Sequence, residues 1–478
     1  MNLKFGWSRR SFLSAIGALT GTLVSPRQME AADGLPKKPK ASPHSLDGSP
    51  IVPITSGLGS SNIYEALGVT PLININGTVT VIGGSVMKPE VMELIRQGNE
   101  HFVLIDELEV AAGKFIAKLC KSPAGYTGLV TGGAAAAIVV GYAGMMTEDW
   151  ENRIRELPDI TNCPRNEVII QKSHRYPFDH QIRQTGAKLV EVVTREEMIA
   201  AINPKTIAIH FTNILSDQGK VSGPETVEIA RARNIYTFND ASADVPPVSR
   251  LWDYPAIGFD MVTFSGGKDI CGPQASGILI GKEDLIHWSL LNMSPQEDRI
   301  GRCCKVGKET LFGLLKALEI FVNQDYDATL RMYDARAQVI TDAIAKFGVT
   351  ALPREFNPEA LGNVTPRYSW HIDPAKLQIT GHEVMQKLAD TRPVGIGSMG
   401  AGSSGMRGRM PDQPAANTGP PEGSDTVAPN GRARRAGGAG RPQRDSNSFG
   451  FAVWQLKDGE DKIIADRLVE IFSEAPKA

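Results

Sequence analysis

The sequence predicts an α/β fold, in which a large domain with a mostly parallel sheet precedes a smaller C-terminal α+β domain. From residue 63 to about residue 300, short apolar runs alternate with amphipathic helical runs. This alternation is typical of a parallel sheet that carries helices on both faces. After Lys308 the pattern changes to two long helical stretches, at about 308–324 and 328–347. The chain has 478 residues, which is enough for two or three folded units.

Six strands are predicted in the large domain. Each is a run of four or five mostly apolar residues that is bounded by turn formers. They are expected at 168–171, 189–193, 207–211, 235–239, 261–265 and 277–281. A helix is predicted at 224–233, because proline stands near its start and arginine at its end. Ligands of such sheets bind beyond the carboxyl ends of the strands, so chemistry is expected there.

The smaller domain begins within the long helices. We expect the large domain to span 63–320 and the smaller domain to comprise 321–397 together with 448–478. Its regular elements are predicted at 368–372 (strand), near 381–389 (helix) and at 461–472 (closing helix).

An insert of unusual composition separates the two parts of the smaller domain. Residues 398–447 contain ten Gly, seven Arg and six Pro, but no Leu, Ile or Phe. Such a segment buries too little apolar surface to offset its chain entropy. It is therefore predicted to be a disordered loop, and its excess of Arg leaves contact with anionic surfaces as an alternative.

The N-terminus has the features of an export signal. The residues from Ser8 to Leu13 read Ser-Arg-Arg-Ser-Phe-Leu, and an uncharged, weakly apolar run follows to Ser25. This pattern predicts a twin-arginine signal within residues 1–32, followed by a Pro-rich linker at 33–62. The protein is then expected in the periplasm or outside the cell. The alternative is a chance Arg pair before a short amphipathic helix.

Composition excludes several classes of protein. The 51 basic and 53 acidic side chains give a net charge of −2, so no nucleic-acid partner is expected. Five cysteines cannot form a disulfide scaffold, and adjacent Cys303 and Cys304 are expected to be packing residues. The uncharged run 128–146 is nearly long enough to span a membrane, but its glycines favour a buried core helix. No stable membrane span is predicted.

A phosphate-binding turn is the first candidate site. Thr131, Gly132 and Gly133 follow a short apolar run and precede an alanine-rich helix. Small residues at this position let backbone N–H groups and the positive end of the helix approach a phosphate. The alternative is that the glycines only allow close packing.

Asp240 and Lys268 are the candidate reactive pair. Asp240 follows the strand predicted at 235–239, where a carboxylate could hydrogen-bond a protonated ring nitrogen; it could equally be a helix cap or a loop acid. Lys268 lies in Ser265-Gly266-Gly267-Lys268, directly after the next strand. A partly desolvated lysine has a lowered pKa and can condense with a carbonyl. The alternative is an exposed turn lysine.

His174 and Arg175 follow the strand predicted at 168–171. The imidazole of His174 could stack on a flat ring or move a proton, although a lone histidine is as often structural. Asp179 and His180 lie close by, but their spacing is not that of metal ligands. No metal site is therefore predicted.

These features together resemble a known family. The order of phosphate turn, Asp240 and Ser-x-x-Lys resembles pyridoxal-phosphate enzymes of the aspartate-aminotransferase superfamily, fold type I. Within that superfamily, residues 265–276 and 300–311 are similar to the bacterial L-seryl-tRNA(Sec) selenium transferases and to their relatives, the D-glucosaminate-6-phosphate ammonia lyases. The likeness covers roughly 63–396 and resumes at 449–473.

The resemblance implies the cofactor and the roles of the site residues. Pyridoxal 5′-phosphate is the implied cofactor. Lys268 matches the lysine that binds its aldehyde, and Asp240 the partner of its ring nitrogen. Thr131, Gly132, Gly133 and Ser265 match the residues that hold its phosphate. A basic group beside the substrate is implied for Arg302, Lys305 and Lys308, with Arg175 as a further substrate contact.

The resemblance also implies an enzyme that acts on a small amino acid. Its relatives place residues of two subunits around one cofactor, so a homodimer or larger homo-oligomer is expected. We predict a lyase that abstracts an α-proton and eliminates a β-substituent from a small polar amino acid or amino-sugar acid, with release of ammonia. The alternatives are a selenium transferase acting on seryl-tRNA, transamination or racemisation, and a protein that keeps this fold but only binds ligands.

Overall fold

The computed structural model describes residues 63–357, 359–390, 395–397 and 445–478, with only the backbone of 395–397. The predicted signal and linker, residues 1–62, lie outside the described residues. So does nearly all of the predicted insert, of which only 445–447 are described.

Twelve strands form three sheets within these ranges. The strands are β1 Leu72–Asn74, β2 Tyr126–Thr131, β3 Glu167–Gln171, β4 Lys188–Val192, β5 Thr206–Thr212, β6 Tyr236–Asp240, β7 Met261–Ser265, β8 Gly277–Lys282, β9 Val349–Ala351, β10 Tyr368–Ile372, β11 Gly395–Gly397 and β12 Ser448–Phe451.

The described residues also form fourteen α-helices, several of which alternate with the strands of the largest sheet. They are α1 Ile63–Ala66, α2 Pro89–Gly98, α3 Ile105–Leu119, α4 Ala134–Thr147, α5 Glu151–Glu156, α6 His180–Gln184, α7 Arg195–Ala201, α8 Gly223–Ala232, α9 Arg250–Ile257, α10 Glu283–Leu291, α11 Lys308–Asn323, α12 Tyr326–Ile344, α13 Gly381–Ala389 and α14 Glu460–Glu474.

The largest sheet has seven strands in the order β2-β8-β7-β6-β5-β3-β4. Only β8 runs antiparallel to its neighbours, β2 and β7, so the predicted mostly parallel α/β sheet is confirmed. Strand β5 is buried along its whole length, as expected for a parallel strand covered on both faces. Because six strands share one direction, their carboxyl ends meet at one edge of the sheet.

Helix α4 lies in the core of this sheet. The uncharged run 128–146 divides into the end of β2 and this helix, in which every residue except Ala135 is buried. The predicted buried helix is thus present, but it begins at Ala134. The described residues form no helix with the length and apolar character needed to cross a membrane.

Side-chain caps determine where several helices begin. Ser222 accepts a hydrogen bond from the backbone N–H of Glu225, while the Glu225 carboxylate accepts one from the Ser222 N–H at 2.9 Å. Thr380 and Glu383 repeat this arrangement at α13. Such reciprocal caps satisfy N–H groups that a helix start leaves unpaired, which is why α8 and α13 begin close to their predicted positions.

A second core lies around the three-stranded antiparallel sheet β12-β10-β9. Trp370 stacks on Phe449 and contacts Phe451, with ring centroids 5.5 and 4.9 Å apart. Helices α12, α13 and α14 contribute to the same core. Residues before and after the predicted insert therefore share one sheet, although the exact domain boundaries stay predictions.

Candidate active site

Three predicted site residues lie along the carboxyl edge of the large sheet. Gly277, at the start of β8, pairs with Thr131 at the end of β2 and with Ser265 at the end of β7. Asp240 ends the next strand, β6, and pairs with Thr263 on β7. Thr131, Ser265 and Asp240 are therefore brought together within four adjacent strands.

Lys268 is held in a tight turn that follows β7. The turn must be rich in glycine: a Cβ at Gly266 would lie 2.3 Å from the Ser276 hydroxyl, and one at Gly267 would lie 2.6 Å from the main chain of Gln274. The neighbouring loop adds a hydrogen bond of 3.1 Å from the Ser85 hydroxyl to the Gly267 carbonyl. Packing on both sides keeps the lysine from extending freely into solvent.

Three carboxyl groups surround Lys268. Burial lowers the pKa of the lysine below its ordinary value, while the nearby Asp240, Asp269 and Asp244 oppose that shift. Burial raises the pKa of Asp240, which is 4% exposed and accepts a hydrogen bond of 3.0 Å from the Ser242 N–H. It also raises the pKa values of Asp244 and Asp269 to about 7. Burial thus favours the neutral amine of Lys268, the form that can condense with a carbonyl.

The phosphate turn leads directly into α4. Gly133 stands at the N-cap with φ of 117° and provides no side-chain cap, so the first N–H groups of α4 are not satisfied by a capping side chain. The Thr131 hydroxyl donates to the Gly133 carbonyl at 2.9 Å. An uncapped helix start lined by glycines is the arrangement that binds phosphate.

Residues 302–308 lie against this turn. A Cβ at Gly132 would lie 3.2 Å from the Cys304 carbonyl oxygen. Arg302 and Lys305, on either side of the cysteines, are exposed, and Lys308 bonds the His101 carbonyl. The predicted basic group is therefore beside the phosphate turn.

The expectation that both cysteines are packing residues is wrong for Cys303, which is exposed, because its short 3-10 turn lies on the surface.

A cavity of 280 Å³ contains Lys268. This volume is near the lower end of the range of small-molecule sites. Much of its lining is polar, and three segments distant in sequence from Lys268 contribute, at 76–79, 363–367 and 452–454. Its other lining residues are Asn76, Gly77, Thr78, Val79, Ala243, Asn363, Thr365, Arg367, Ala452 and Trp454.

Arg250 holds the C-terminal wall of this cavity in place. Its guanidinium group is buried and donates to the carbonyls of Asp244, Ala360 and Gly362. The Gly362 N–H in turn donates to the Asp244 carboxylate at 3.1 Å. Next along the chain, the Asn363 amide donates to Asp269 at 2.9 Å. Hydrogen bonds thus connect this segment to two of the acids around Lys268.

The N-terminal wall is a turn built by Asn74. Its side-chain oxygen accepts hydrogen bonds from the N–H groups of Asn76 and Gly77 at 2.9 and 3.1 Å. Gly77 has φ of 108°, and a Cβ there would lie 3.1 Å from the Trp454 ring. Glycine is therefore needed both for the backbone conformation and for the approach of Trp454.

His174 is fully buried after the end of β3. Strand β5 lies between β3 and β6, the strand that Asp240 ends. Its Nδ1 accepts a hydrogen bond of 3.3 Å from the N–H of Thr212, the residue that pairs with Asp240. Its ring packs edge-on against Phe211. Burial lowers the pKa of His174 to about 4, so the ring is neutral at ordinary pH. The residue does not line the Lys268 cavity, and its catalytic role stays a prediction.

Arg175 is held by acidic side chains of the protein. Its Nε donates to Asp179 at 2.6 Å, and its Nη1 pairs with Glu191 at the end of the sheet. Any substrate would have to compete with two carboxylates for this guanidinium. Arg175 does not line the Lys268 cavity, and its role in substrate binding stays a prediction.

A larger cavity of 640 Å³ lies between the loop after β5 and α9. Phe211, Tyr254 and Phe259 contribute apolar surface to it, and Asp217 and Asp253 contribute charge. No lysine lines it, so it offers no amine for a carbonyl group. The smaller cavity around Lys268 is the better candidate for chemistry.

Several functional candidates were not predicted from the sequence. Asp244, Asp269, Asn363 and Arg367 all lie at or beside the Lys268 cavity. One signal was present: Arg367 directly precedes the correctly predicted strand β10.

Glu109 supports the strand that carries the phosphate turn, and its removal tests how burial affects stability. It is 1% exposed, and one carboxylate oxygen accepts a hydrogen bond from Val130, which precedes Thr131. Burial raises the pKa of Glu109 to about 8. The unfolded carboxyl ionises near pH 4.5, so folding loses stability as pH rises from there to about 8.

We expect Glu109→Gln to remove the loss of folding stability that occurs as the pH rises towards 8. The variant should gain stability relative to the parent chain, and the gain should be larger at pH 8 than at pH 5 by roughly 3 kcal/mol. Urea unfolding at the two pH values measures it. Glu107→Gln, on the exposed face of the same helix, is the control. An equal difference at both pH values would contradict the shifted pKa.

The site fits pyridoxal phosphate in three respects. Lys268 offers an amine of lowered pKa inside a cavity. Asp240 offers a buried carboxyl group on the neighbouring strand, suited to a protonated ring nitrogen. Gly132 and Gly133 leave an uncapped helix start free of side chains. Among the described residues, no cluster of three or more His, Cys, Asp or Glu side chains could hold a metal ion.

Comparison with solved structures shows a shared fold. The structure of a D-glucosaminate-6-phosphate ammonia-lyase superposes with a TM-score of 0.68 and 24% sequence identity. The match covers 87% of this chain and 99% of that one. The fold-type-I architecture predicted from the sequence is thereby confirmed.

Comparison with curated proteins gives two informative relatives. The D-glucosaminate-6-phosphate ammonia lyase of Salmonella typhimurium is 28% identical over 338 residues, which are 68% of this chain and 86% of the relative. The L-seryl-tRNA(Sec) selenium transferase of Desulfomicrobium baculatum is 26% identical over 327 residues, 60% of this chain. This chain spans only 62% of the length of that transferase.

A family model supports the same assignment. The model described as L-seryl-tRNA selenium transferase matches residues 72–352, which include the phosphate turn, Asp240, Lys268 and the basic segment. The match covers more than half of the chain. The protein is therefore a pyridoxal-phosphate-dependent enzyme of fold type I, and it belongs to the L-seryl-tRNA selenium transferase family.

Proposed function

We propose that this protein is a lyase that eliminates a β-substituent from a small polar amino acid or amino-sugar acid and releases ammonia. The observation that carries the proposal is the small cavity that Lys268 and Arg367 both line. An amine and a carboxylate-binding group in one small polar cavity suit an amino acid. The ammonia lyase relative gives the substrate class.

Each residue has a definite task in this reaction. Pyridoxal phosphate, when bound, supplies the electron sink that makes the substrate Cα acidic. Lys268 Nζ, with its lowered pKa, takes the proton from Cα. Asp240 would partner the ring nitrogen of the cofactor and keep it protonated. The phosphate turn and Ser265 would hold the cofactor phosphate.

Arg367 binds the substrate carboxylate in this proposal. It directly precedes β10 and lines the Lys268 cavity. We expect Arg367→Leu to raise KM for the substrate by roughly 10- to 100-fold, since a charge-assisted bidentate contact is lost. The bound cofactor should keep its spectrum. Initial-rate kinetics measure the change.

Arg354→Leu is the matched control, because Arg354 pairs with Asp334 outside the cavity. If Arg367→Leu leaves KM unchanged while Arg354→Leu raises it, Arg367 does not bind substrate.

Ammonia release tests the proposed function as a whole. The holoenzyme is incubated with serine, other small polar amino acids and amino-sugar acids, including D-glucosaminate-6-phosphate, and ammonia is measured. Release from at least one of them is expected. Activity on seryl-tRNA with none on the free compounds would instead support a selenium transferase. A net charge of −2 favours the lyase, because binding to nucleic acid relies on basic side chains.

A homodimer is the proposed assembly. Phe102, Val103 and Leu104 are consecutive apolar residues that are 102%, 48% and 64% exposed. Lys308, at the end of the basic segment, lies 5.5 Å over the Phe102 ring. Exposed apolar surface of this kind marks interaction sites, and a second copy would bury it. Light scattering of Phe102→Asp against the parent chain tests this; equal masses would refute it.

Export by the twin-arginine route is the proposed localisation. Arg9 and Arg10, followed by an uncharged run, support it. Replacing both arginines by lysine should retain the protein in the cytoplasm, and cell fractionation measures the distribution. Unchanged distribution would refute the proposal.

A further inference from the structure

Two adjacent thiols lie beside the phosphate turn and have no part in the proposed reaction. The Sγ atoms of Cys303 and Cys304 are 3.8 Å apart. We propose that this pair is a reversible oxidation site, at which a peroxide forms a disulfide between the two residues and thereby weakens binding of pyridoxal phosphate. The proposal rests on the cofactor and not on the identity of the substrate.

Exposure distinguishes Cys303 from the other cysteines. Cys120 and Cys163 are buried, Cys271 and Cys304 are half-buried, and Cys303 alone among these five is exposed. The exposed side chains of Arg302 and Lys305 flank the pair. Reactive cysteines are accessible and often stand beside a second, resolving thiol. Cys303 and Cys304 meet both conditions.

The two thiols take different parts in the oxidation. Cys303 attacks the peroxide, its sulfur gains one oxygen as a sulfenic acid, and one water leaves. The Cys304 thiol then attacks that sulfur, the S–O bond breaks, and a second water leaves as the disulfide forms. Two thiols and one hydrogen peroxide thus give one disulfide and two waters.

Closing this disulfide requires the backbone to move. The sulfurs must approach from 3.8 Å to about 2 Å, within a ring that includes the peptide bond between the two residues. That peptide belongs to a 3-10 turn in which the Cys304 N–H donates to the Gly301 carbonyl at 2.9 Å. Adjacent residues are closer than disulfide-bonded residues usually are, so the bond is strained and easily reduced.

The backbone of Cys304 is also a wall of the phosphate turn. Its carbonyl oxygen, carbonyl carbon and Cα lie 3.2, 3.6 and 3.8 Å from the position of a Cβ on Gly132. A shift of this peptide therefore changes the space beside Gly132, in the turn that would hold the cofactor phosphate. Oxidation is thereby coupled to cofactor affinity.

The experiment compares reduced and peroxide-treated protein. Cleavage after glutamate releases peptide 298–309, which contains Cys303 and Cys304 and no other cysteine. We expect its mass to fall by two hydrogens, and the Kd for pyridoxal phosphate, measured by equilibrium dialysis, to rise roughly ten-fold or more. Dithiothreitol should restore both values. After peroxide treatment, Cys303→Ser and Cys304→Ser should each bind pyridoxal phosphate as tightly as the untreated, reduced protein does.

Cys271→Ser is the control, because Cys271 lies in the lysine turn and could itself be oxidised. If this substitution abolishes the effect of peroxide, the effect arises there and the proposal is overturned. It is also overturned if no disulfide forms in peptide 298–309, or if the disulfide forms and the Kd is unchanged. None of these readouts depends on ammonia release, so they remain valid whatever the substrate.

Discussion

Lys268→Ala is expected to abolish catalysis and the covalent attachment of the cofactor. The amine of Lys268 both binds the aldehyde of pyridoxal phosphate and moves the Cα proton, so its loss removes two functions at once. We expect activity to fall by at least about 10⁴-fold, which corresponds to more than 5 kcal/mol of transition-state stabilisation. Borohydride reduction followed by peptide mapping measures attachment. Cofactor should be trapped on the parent chain at Lys268 and not on the variant.

Lys205→Ala is the matched control for this experiment. Lys205 is exposed in a loop before β5, far along the chain from the glycine turn, and its substitution should change neither trapping nor activity. If the Lys268 variant still traps cofactor at a single lysine, the covalent site has been assigned to the wrong residue, and the proposed reaction fails with it.

The strands of the large sheet were predictable because burial on both faces demands continuous apolar runs. Strand β7 was predicted with its exact bounds, and β3, β5 and β6 to within one residue at each end. The reversed direction of β8 was not predictable in this way, because an apolar run has no direction. It depends on the connection after Lys268, whose turn brings the chain back alongside β7.

The site was predictable where it depends on position along a strand. Asp240 and Lys268 follow consecutive strands, so a parallel sheet brings them to one edge. The contact between Asp269 and Asn363 could not be predicted from position along a strand. It depends on Arg250 and Asp244, whose hydrogen bonds hold residues 360–362 in place. Such contacts arise from the packing of distant segments, for which a sequence pattern has no period. Arg367 was missed for the same reason.

Asp240→Asn is expected to lower activity by at least about 100-fold while the cofactor remains bound. Asn has nearly the same size and can still accept the hydrogen bond from the Ser242 N–H, but it carries no charge to keep a ring nitrogen protonated. The substitution also removes a charge that raises the pKa of Lys268. That pKa should therefore fall, and cofactor uptake by apoprotein should reach its full rate at a lower pH than in the parent chain.

Asp244→Asn separates these effects from a general loss of negative charge near Lys268. Asp244 is also buried beside the lysine, but its pKa of about 7 leaves it largely protonated at pH 6, so removing its charge there should change activity by less than about ten-fold. Measured together at pH 6, the two variants distinguish a specific partner of the cofactor from an acid that only contributes to the local field. Equal losses in both would mean that Asp240 has no special role. A loss confined to Asp240→Asn, with the uptake profile displaced to lower pH, would show one carboxylate acting on the cofactor ring and on the lysine, because both changes follow from one charge at one strand end.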